Sequence, residues 1–411
     1  MKQELELKQT ELGELPVDWK VEKFEDCIIK KRIKVGKVQQ QKYKDVGKFP
    51  IVDQGKNKIA GYWDDKENVY SGDLPIVIFG DHTRIVKFID FPFVCGADGT
   101  KVIVPDKSKV DPLYFYYAVS SLDVSSRGYN RHYSLLKEKF IARPPLPEQQ
   151  KIAYVLSAIQ EDKEKTENII SSYKELKKSL MKHLFKYGHV KFEDAEKVKL
   201  KETEIGEMPE NWEVNEIKEL IEKTKQKDMR KENTEFKYID VSSIDRDFYR
   251  IVGFTLHKGK TSPSRARKIV KTNDIIVATV RPTLKRIALV PEDYDNQICS
   301  TAFCVLKANA EQLNSKFLYY STQRSLFFDA LESIQRGASY PAVTDSDIKK
   351  QKIAYPPPAC QQEIAEILSS VDSKIEQEEN KKKALEELFK SMLSNLMTAK
   401  IRVNYIEVKN E

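Results

Sequence analysis

The most constraining feature of this 411-residue chain is that it repeats itself. "PPLPEQQKIAYVLSAI", from Pro144 to Ile159, returns 212 residues later as "PPPACQQEIAEILSSV", from Pro356 to Val371. A second pair, "TELGELPVDWKV" (Thr10 to Val21) and "TEIGEMPENWEV" (Thr203 to Val214), agrees at seven of twelve positions with an offset of 193. The 19-residue difference between the offsets must fall between the two motifs. Each unit is therefore a constant start, a variable middle and a constant helix. The period is far too long for a solenoid, whose repeats run ~20–50 residues. Two large copies in one chain imply an internal pseudo-twofold relation.

The variable middles share a charge. Between Ile28 and Arg143 there are 21 Lys+Arg against 13 Asp+Glu, and between Ile221 and Tyr355 there are 24 against 16. With a net charge of +7, the rest of the chain holds an excess of acids. Two basic modules in a neutral or acidic frame point to two contacts with a polyanion, most simply nucleic acid. No run of ~18 apolar residues predicts a membrane span, and the N-terminus lacks the apolar core of a signal peptide. The five cysteines are scattered without a C-x-x-C pair, which predicts reduced thiols in a cytoplasmic protein and no zinc.

The constant helices open with proline and acid: Pro147 suits a first turn, and Glu148 favours the helix dipole. Apolar residues then recur at spacings of three and four. In the first copy they are Ile152, Val155, Ile159, Ile169, Tyr173, Leu176 and Leu180; in the second, Ile364, Ile367, Val371, Leu385, Leu388 and Met392. The same heptad crosses a polar middle at Asp162 and Thr166 in one helix and at Lys374, Glu378 and Lys381 in the other. Parallel and antiparallel pairing fit this pattern equally well. A helix of ~40 residues would be ~60 Å long, the dimension of a spacer.

Each basic region reads as strand, polar loop, strand. The first loop offers His82, Thr83, Arg84 and, on the returning strand, Lys87; the second offers Arg281, Thr283, Lys285 and Arg286. His82 alone is more often a packing residue than a ligand. A second loop precedes each constant helix: Arg127, Tyr129, Asn130, Arg131, His132 and Tyr133 in one copy, Arg336, Ser339 and Tyr340 in the other. Lys258, Lys260, Arg265 and Arg267 complete the candidate DNA-contacting set. Arginine forks match guanine or phosphate, and interleaved aromatics suit nucleotide surfaces. "HKGKTS" (His257 to Ser262) has five residues after Gly253 where a phosphate loop needs four. No dinucleotide fingerprint, hydrolase elbow or adenine-methyltransferase "DPPY" loop appears. The chain reads as a binder without chemistry of its own.

The start motifs and the proline-glutamine helix starts together resemble the DNA-specificity subunits of Type I restriction-modification systems, over about Thr10 to Val403. That resemblance implies an α+β fold: two mixed α/β target-recognition domains (10–147 and 203–357) with two long helices (148–190 and 358–403) packed as an antiparallel coiled coil. It implies that each domain reads one half of an asymmetric bipartite sequence on double-stranded DNA while the helices fix the gap. It further implies docking of two methylase subunits and, through them, restriction subunits. S-adenosylmethionine, ATP and Mg²⁺ are then expected on those partners, with no cofactor on this chain. The second copy departs from the pattern in having Ala359 and Cys360 at the places of Pro147 and Glu148, which predicts a weaker helix start. The competing expectation is a coiled-coil scaffold that grips nucleic acid without sequence preference.

Overall fold

A computed structural model describes residues 6–30, 35–125 and 131–403. The chain divides into two compact units, Met1–Glu167 with Asn380–Glu411, and Asn168–Glu379. Each contains one recognition fold and half of each long helix.

The repeated start motif is a turn with a purpose. Thr10 Oγ1 donates to Gly13 O at 2.6 Å while Leu12 N–H donates back to Thr10 Oγ1. Thr203, Ile205 and Gly206 make the same bonds. Gly13 and Gly206 sit at φ +95° and +94°, a conformation only glycine adopts without strain. The motif's tryptophans, Trp19 and Trp212, are buried in their units' cores. The strand after each one closes the recognition fold. Lys20–Lys23 pairs antiparallel with Phe140–Arg143, and Glu213–Glu216 pairs with Lys352–Tyr355.

In the first unit, Ile76–Gly80 is wholly buried and lies between Val86–Ile89 and Thr100–Ile103, both antiparallel. A second three-stranded sheet has Phe49–Val52 at its centre. In the second unit, Ile275–Ala278 lies between Ile287–Leu289 and Phe303–Ala308 within a four-stranded sheet, and a second four-stranded sheet contains Glu235–Ile239. Both units therefore present the expected β-hairpin from a buried central strand.

The long helices run Leu146–Tyr187 and Pro358–Met397. The first starts two residues before the expected 148 because Pro145 O already accepts from the Glu148 and Gln149 amides. It stops before Gly188, at φ +79°, instead of at 190. The second stops short of 403, with Ala399 in the left-handed region at φ +55°. Pro358 occupies its first position, so the second helix start has not lost its proline.

In the first unit, Ile152, Ala153 and Leu156 share a core with Leu396 and Met397; in the second, Leu184 and Phe185 share one with Cys360, Ile364 and Leu368. The start of each helix packs on the end of the other, so the pair is antiparallel. The seam differs from the expected one at alternate positions. Leu156, Ile170, Leu368 and Ile375 are buried, whereas Ile169, Leu176 and Leu388 are 38%, 44% and 46% exposed. Val155 and Ile367 are only partly buried. The period of 3.5 holds, but one of its two positions lies a residue later. The shift was hidden because Lys177 takes a seam place that apolar Leu176 seemed to claim: its stem is buried and its ammonium meets Asp372 at 2.8 Å. In the polar middle, Thr166 is fully buried and donates to Asp162 O, and Lys382 meets Glu167 at 3.0 Å.

The glutamine shared by both helix starts is a staple that sequence reasoning passed over. Buried Gln149 accepts from the Asp111 amide at 2.8 Å and donates to Lys109 O and Pro144 O. Gln361 accepts from the Asn314 amide and donates to Gln312 O and Pro356 O. In each unit it ties the long helix to the start of a recognition-domain helix, Pro112–Ser121 or Ser315–Ser321. A buried amide with three satisfied bonds fixes one docking angle.

Glu148 does more than favour a dipole. It is 4% exposed, accepts from Arg402 Nε and Nη2 at 2.5 and 2.6 Å, and accepts from Trp19 Nε1 at 3.0 Å. Asp18 takes Arg402's remaining edge at 2.9 Å. At the matching place in the second unit, Cys360 Sγ lies 3.3 Å from His189 Nδ1, and His189 Nε2 lies 2.8 Å from Glu363. An ion-pair clasp in one unit is a thiol–imidazole clasp in the other.

Candidate nucleic-acid interface

In both units the hairpin tip and the loop before the long helix are hydrogen-bonded into one patch. In the first unit the junction is Asp81, which is buried. Its carbonyl accepts from the His132 amide at 2.9 Å, its carboxylate accepts from the Tyr133 amide at 2.8 Å, and Lys101 lies 3.2 Å away. Burial alone would raise this carboxyl; the Tyr133 amide and Lys101 outweigh it and hold it below the usual range. Arg84, at φ +61°, reaches across to donate to Val124 O at 2.9 Å.

Several predicted contact residues are committed inside the fold. Lys87 is 6% exposed and donates to Asp53 O and Asn57 O, so it is a structural lysine. Its strand turns Lys87 and Ile89 inward, the opposite parity to the one that would expose the charge. His132 is fully buried, with Nδ1 2.9 Å from Asp81 O. Tyr133 packs on Phe24 and Phe79. His82 is partly buried, and its amide donates to Gln54 Oε1. Thr83 is exposed, though its hydroxyl donates to Gln54 O at 2.6 Å. Gln54 was not anticipated; nothing in its local sequence marks it. Arg131 is exposed, while Arg127, Tyr129 and Asn130 lie outside the described residues.

The second unit has the more open patch. Arg281 N–H donates to Pro341 O at 2.7 Å, Val280 bridges Ala342, and Arg336 and Ala342 exchange both backbone bonds. Arg281 (φ +47°) and Lys285 (φ +53°) bracket the turn Pro282–Leu284, which holds exposed Thr283. Left-handed backbone at two non-glycine residues marks a tip held by its surroundings. Arg281 lies 5.0 Å over the Tyr340 ring and Lys285 lies 5.4 Å over Phe328. Ser339 is exposed, and Tyr340 is 77% exposed. Arg265 is exposed, and its carbonyl accepts from the Thr301 amide. Lys258 and Lys260 are exposed at the end of a strand of the neighbouring sheet. Three predicted arginines are already engaged. Arg286 donates to Val241 O, Arg336 pairs with Asp347 at 2.9 Å, and Arg267 donates to Ser264 O beside Asp228.

The second unit also holds a cleft of about 1160 Å³ lined by Lys174, Lys177, Phe248, Tyr320 and Arg324 among others. Lys174 sits 4.1 Å over Phe248, and Arg324 5.0 Å over Phe185. Its lining comes from several separate segments, so no local motif could announce it. Among the described residues, no group of three or more His, Cys, Asp or Glu is placed to hold a metal ion, and no helix is long and apolar enough to cross a membrane. All five cysteines are free and buried.

The model of the Type I restriction modification DNA specificity domain matches residues 16–189 and again 209–387. The putative type I restriction enzyme MjaX specificity subunit of Methanocaldococcus jannaschii is 26% identical over 438 aligned positions, covering 96% of both chains. The MjaVIII specificity subunit of the same organism is 26% identical over 74% of each. Among solved structures, the Type-I restriction-modification S subunit from M. genitalium superposes with a TM-score of 0.61 over 92% of this chain and 96% of its own, at 17% identity, a likeness of fold.

Proposed function

Since the chain belongs to the family of Type I restriction-modification DNA specificity domains, we propose that its two units each read one half of a bipartite DNA target. The observation that supports this is the paired-loop patch, built on the same hairpin in both units but from different side chains: Arg84 and Arg131 in one, Arg281, Lys285 and Tyr340 in the other. Unlike side chains on like scaffolds favour unlike half-sites, hence an asymmetric target. The antiparallel helices then set the number of unread base pairs between the halves. In this reading two methylase subunits dock on the chain, bringing S-adenosylmethionine to an adenine, and restriction subunits with ATP and Mg²⁺ join through them. This chain supplies address rather than chemistry.

The test is to co-express the chain with its methylase subunit and map methylated adenines in host DNA. A motif of two short halves around a fixed gap is expected, and replacing residues 28–143 with those of another specificity subunit should change one half alone. Salt-sensitive binding indifferent to sequence, with no split motif, would favour the scaffold reading instead.

A further inference from the structure

We propose that Arg281 is a base-reading arginine braced by the Tyr340 ring, and that the half-site read by the second unit contains a guanine facing it in the major groove. This rests on the reading of the units as DNA-recognition modules.

The first support is commitment. Arg336, Arg286 and Arg267 spend their guanidinium groups on Asp347, on Val241 O, and on Ser264 O and Asp228. Arg281 has no carboxylate partner among the described residues, and its one side-chain neighbour of note is the Tyr340 ring at 5.0 Å. A cation–π contact with a ring takes up none of the guanidinium N–H groups in a hydrogen bond to an acceptor atom, so they remain to meet guanine O6 and N7 in a bidentate pair.

The second support is construction. The Arg281 backbone is pinned by its bond to Pro341 O and is held left-handed at φ +47°. The turn that lifts Tyr340 needs Gly337 at φ +98°, where a Cβ would come within 3.0 Å of Tyr340 O. A ring left 77% exposed on a loop closed by reciprocal backbone bonds is rigid and still uncovered. Such a pair is preorganised, so little ordering cost remains at binding.

The third support is contrast. At the matching patch of the first unit no described arginine lies over an exposed tyrosine: Arg84 donates to Val124 O, and Tyr133, packed against Phe24 and Phe79, has Lys101 and Lys137 over its ring.

The experiment uses the full chain in complex with its methylase subunits and duplexes carrying the mapped target. The exchange of residues 28–143 identifies which half belongs to the second unit. Each guanine of that half is replaced in turn by 7-deazaguanine, which lacks the N7 acceptor. At one position, wild-type affinity should fall roughly ten- to hundredfold, and Arg281→Ala should be indifferent to the same replacement. Arg281→Lys, which keeps the charge and loses the fork, should lose discrimination at that position; Tyr340→Phe should keep it and Tyr340→Ala should weaken it. The proposal is overturned if that half-site holds no guanine on either strand. It is equally overturned if Arg281→Ala weakens binding evenly across sequences with a shallower salt dependence, the mark of a phosphate contact. A motif that is not split at all would instead overturn the two-module reading.

Discussion

Asp274 should make the second unit less stable as pH rises, and its amide variant should remove that dependence. The residue is 3% exposed, in the turn that launches the buried strand Ile275–Ala278. Its carboxylate accepts from the Lys271 amide at 2.9 Å and forms no ion pair among the described residues. Burial raises its pKa from 3.8 to about 6, with the Lys271 amide and the more distant Lys307 offsetting only part of that. The native state therefore binds the proton more tightly than the unfolded chain. Below pH 3.8 the group is neutral in both states and costs nothing. Between 3.8 and 6 the native state holds more protons, so stability falls as pH rises, and above 6 the full cost stands. Two pKa units at ~1.4 kcal/mol each make that cost about 3 kcal/mol. Asp274→Asn keeps an acceptor for the Lys271 amide and abolishes the charge. After allowance for the added amide hydrogens, it should stabilise the chain by about 1–3 kcal/mol at pH 8, and about half of that gain should vanish at pH 5. Urea unfolding of both proteins at the two pH values measures this. An equal effect at pH 5 and pH 8, or none at pH 8, would refute the reasoning.

Two further expectations concern the helices. Ile170→Ala should cost about 2–5 kcal/mol, while its neighbour Ile169→Ala should stay within about 1 kcal/mol, because only Ile170 is in the seam; reversed values in urea unfolding would restore the earlier register. Glu148→Gln should destabilise the first unit by about 3 kcal/mol, at the low end for breaking a buried pair because Asp18 still meets Arg402. Hydrogen exchange should then quicken around Trp19 and leave Trp212 unchanged.

The duplication, the hairpins and the two long helices were legible because each rests on local or periodic sequence, whereas the antiparallel pairing was implied by the family resemblance alone, since the heptads fit either orientation. The start motif even encodes its own turn, since Thr10 and Gly13 satisfy each other within three residues. What was not legible depends on partners far along the chain. His132 looked like a surface histidine until Asp81, 51 residues away, covered it. Lys87 looked solvated because two of its acceptors are backbone carbonyls, which no charge count reveals. The heptad slipped by one because Ile169 and Ile170 are adjacent and equally apolar, so composition could not choose between them. Gln149 and Gln361 were visible as a repeat, but their role lay in contacts about 40 to 50 residues upstream.

The clasp between Glu148 and Arg402 also sets a timetable. The two residues are 254 apart in sequence, which at ~5–20 residues per second of synthesis is a wait of roughly 10–50 s. The second unit is contiguous, Asn168–Glu379, and can close as soon as it is made. During the wait, the face of Ile152 and Leu156 that Leu396 and Met397 will cover stays open to water. The half of the protein born first is the half finished last, and it is in that interval on the ribosome that the nascent chain most needs shelter from aggregation.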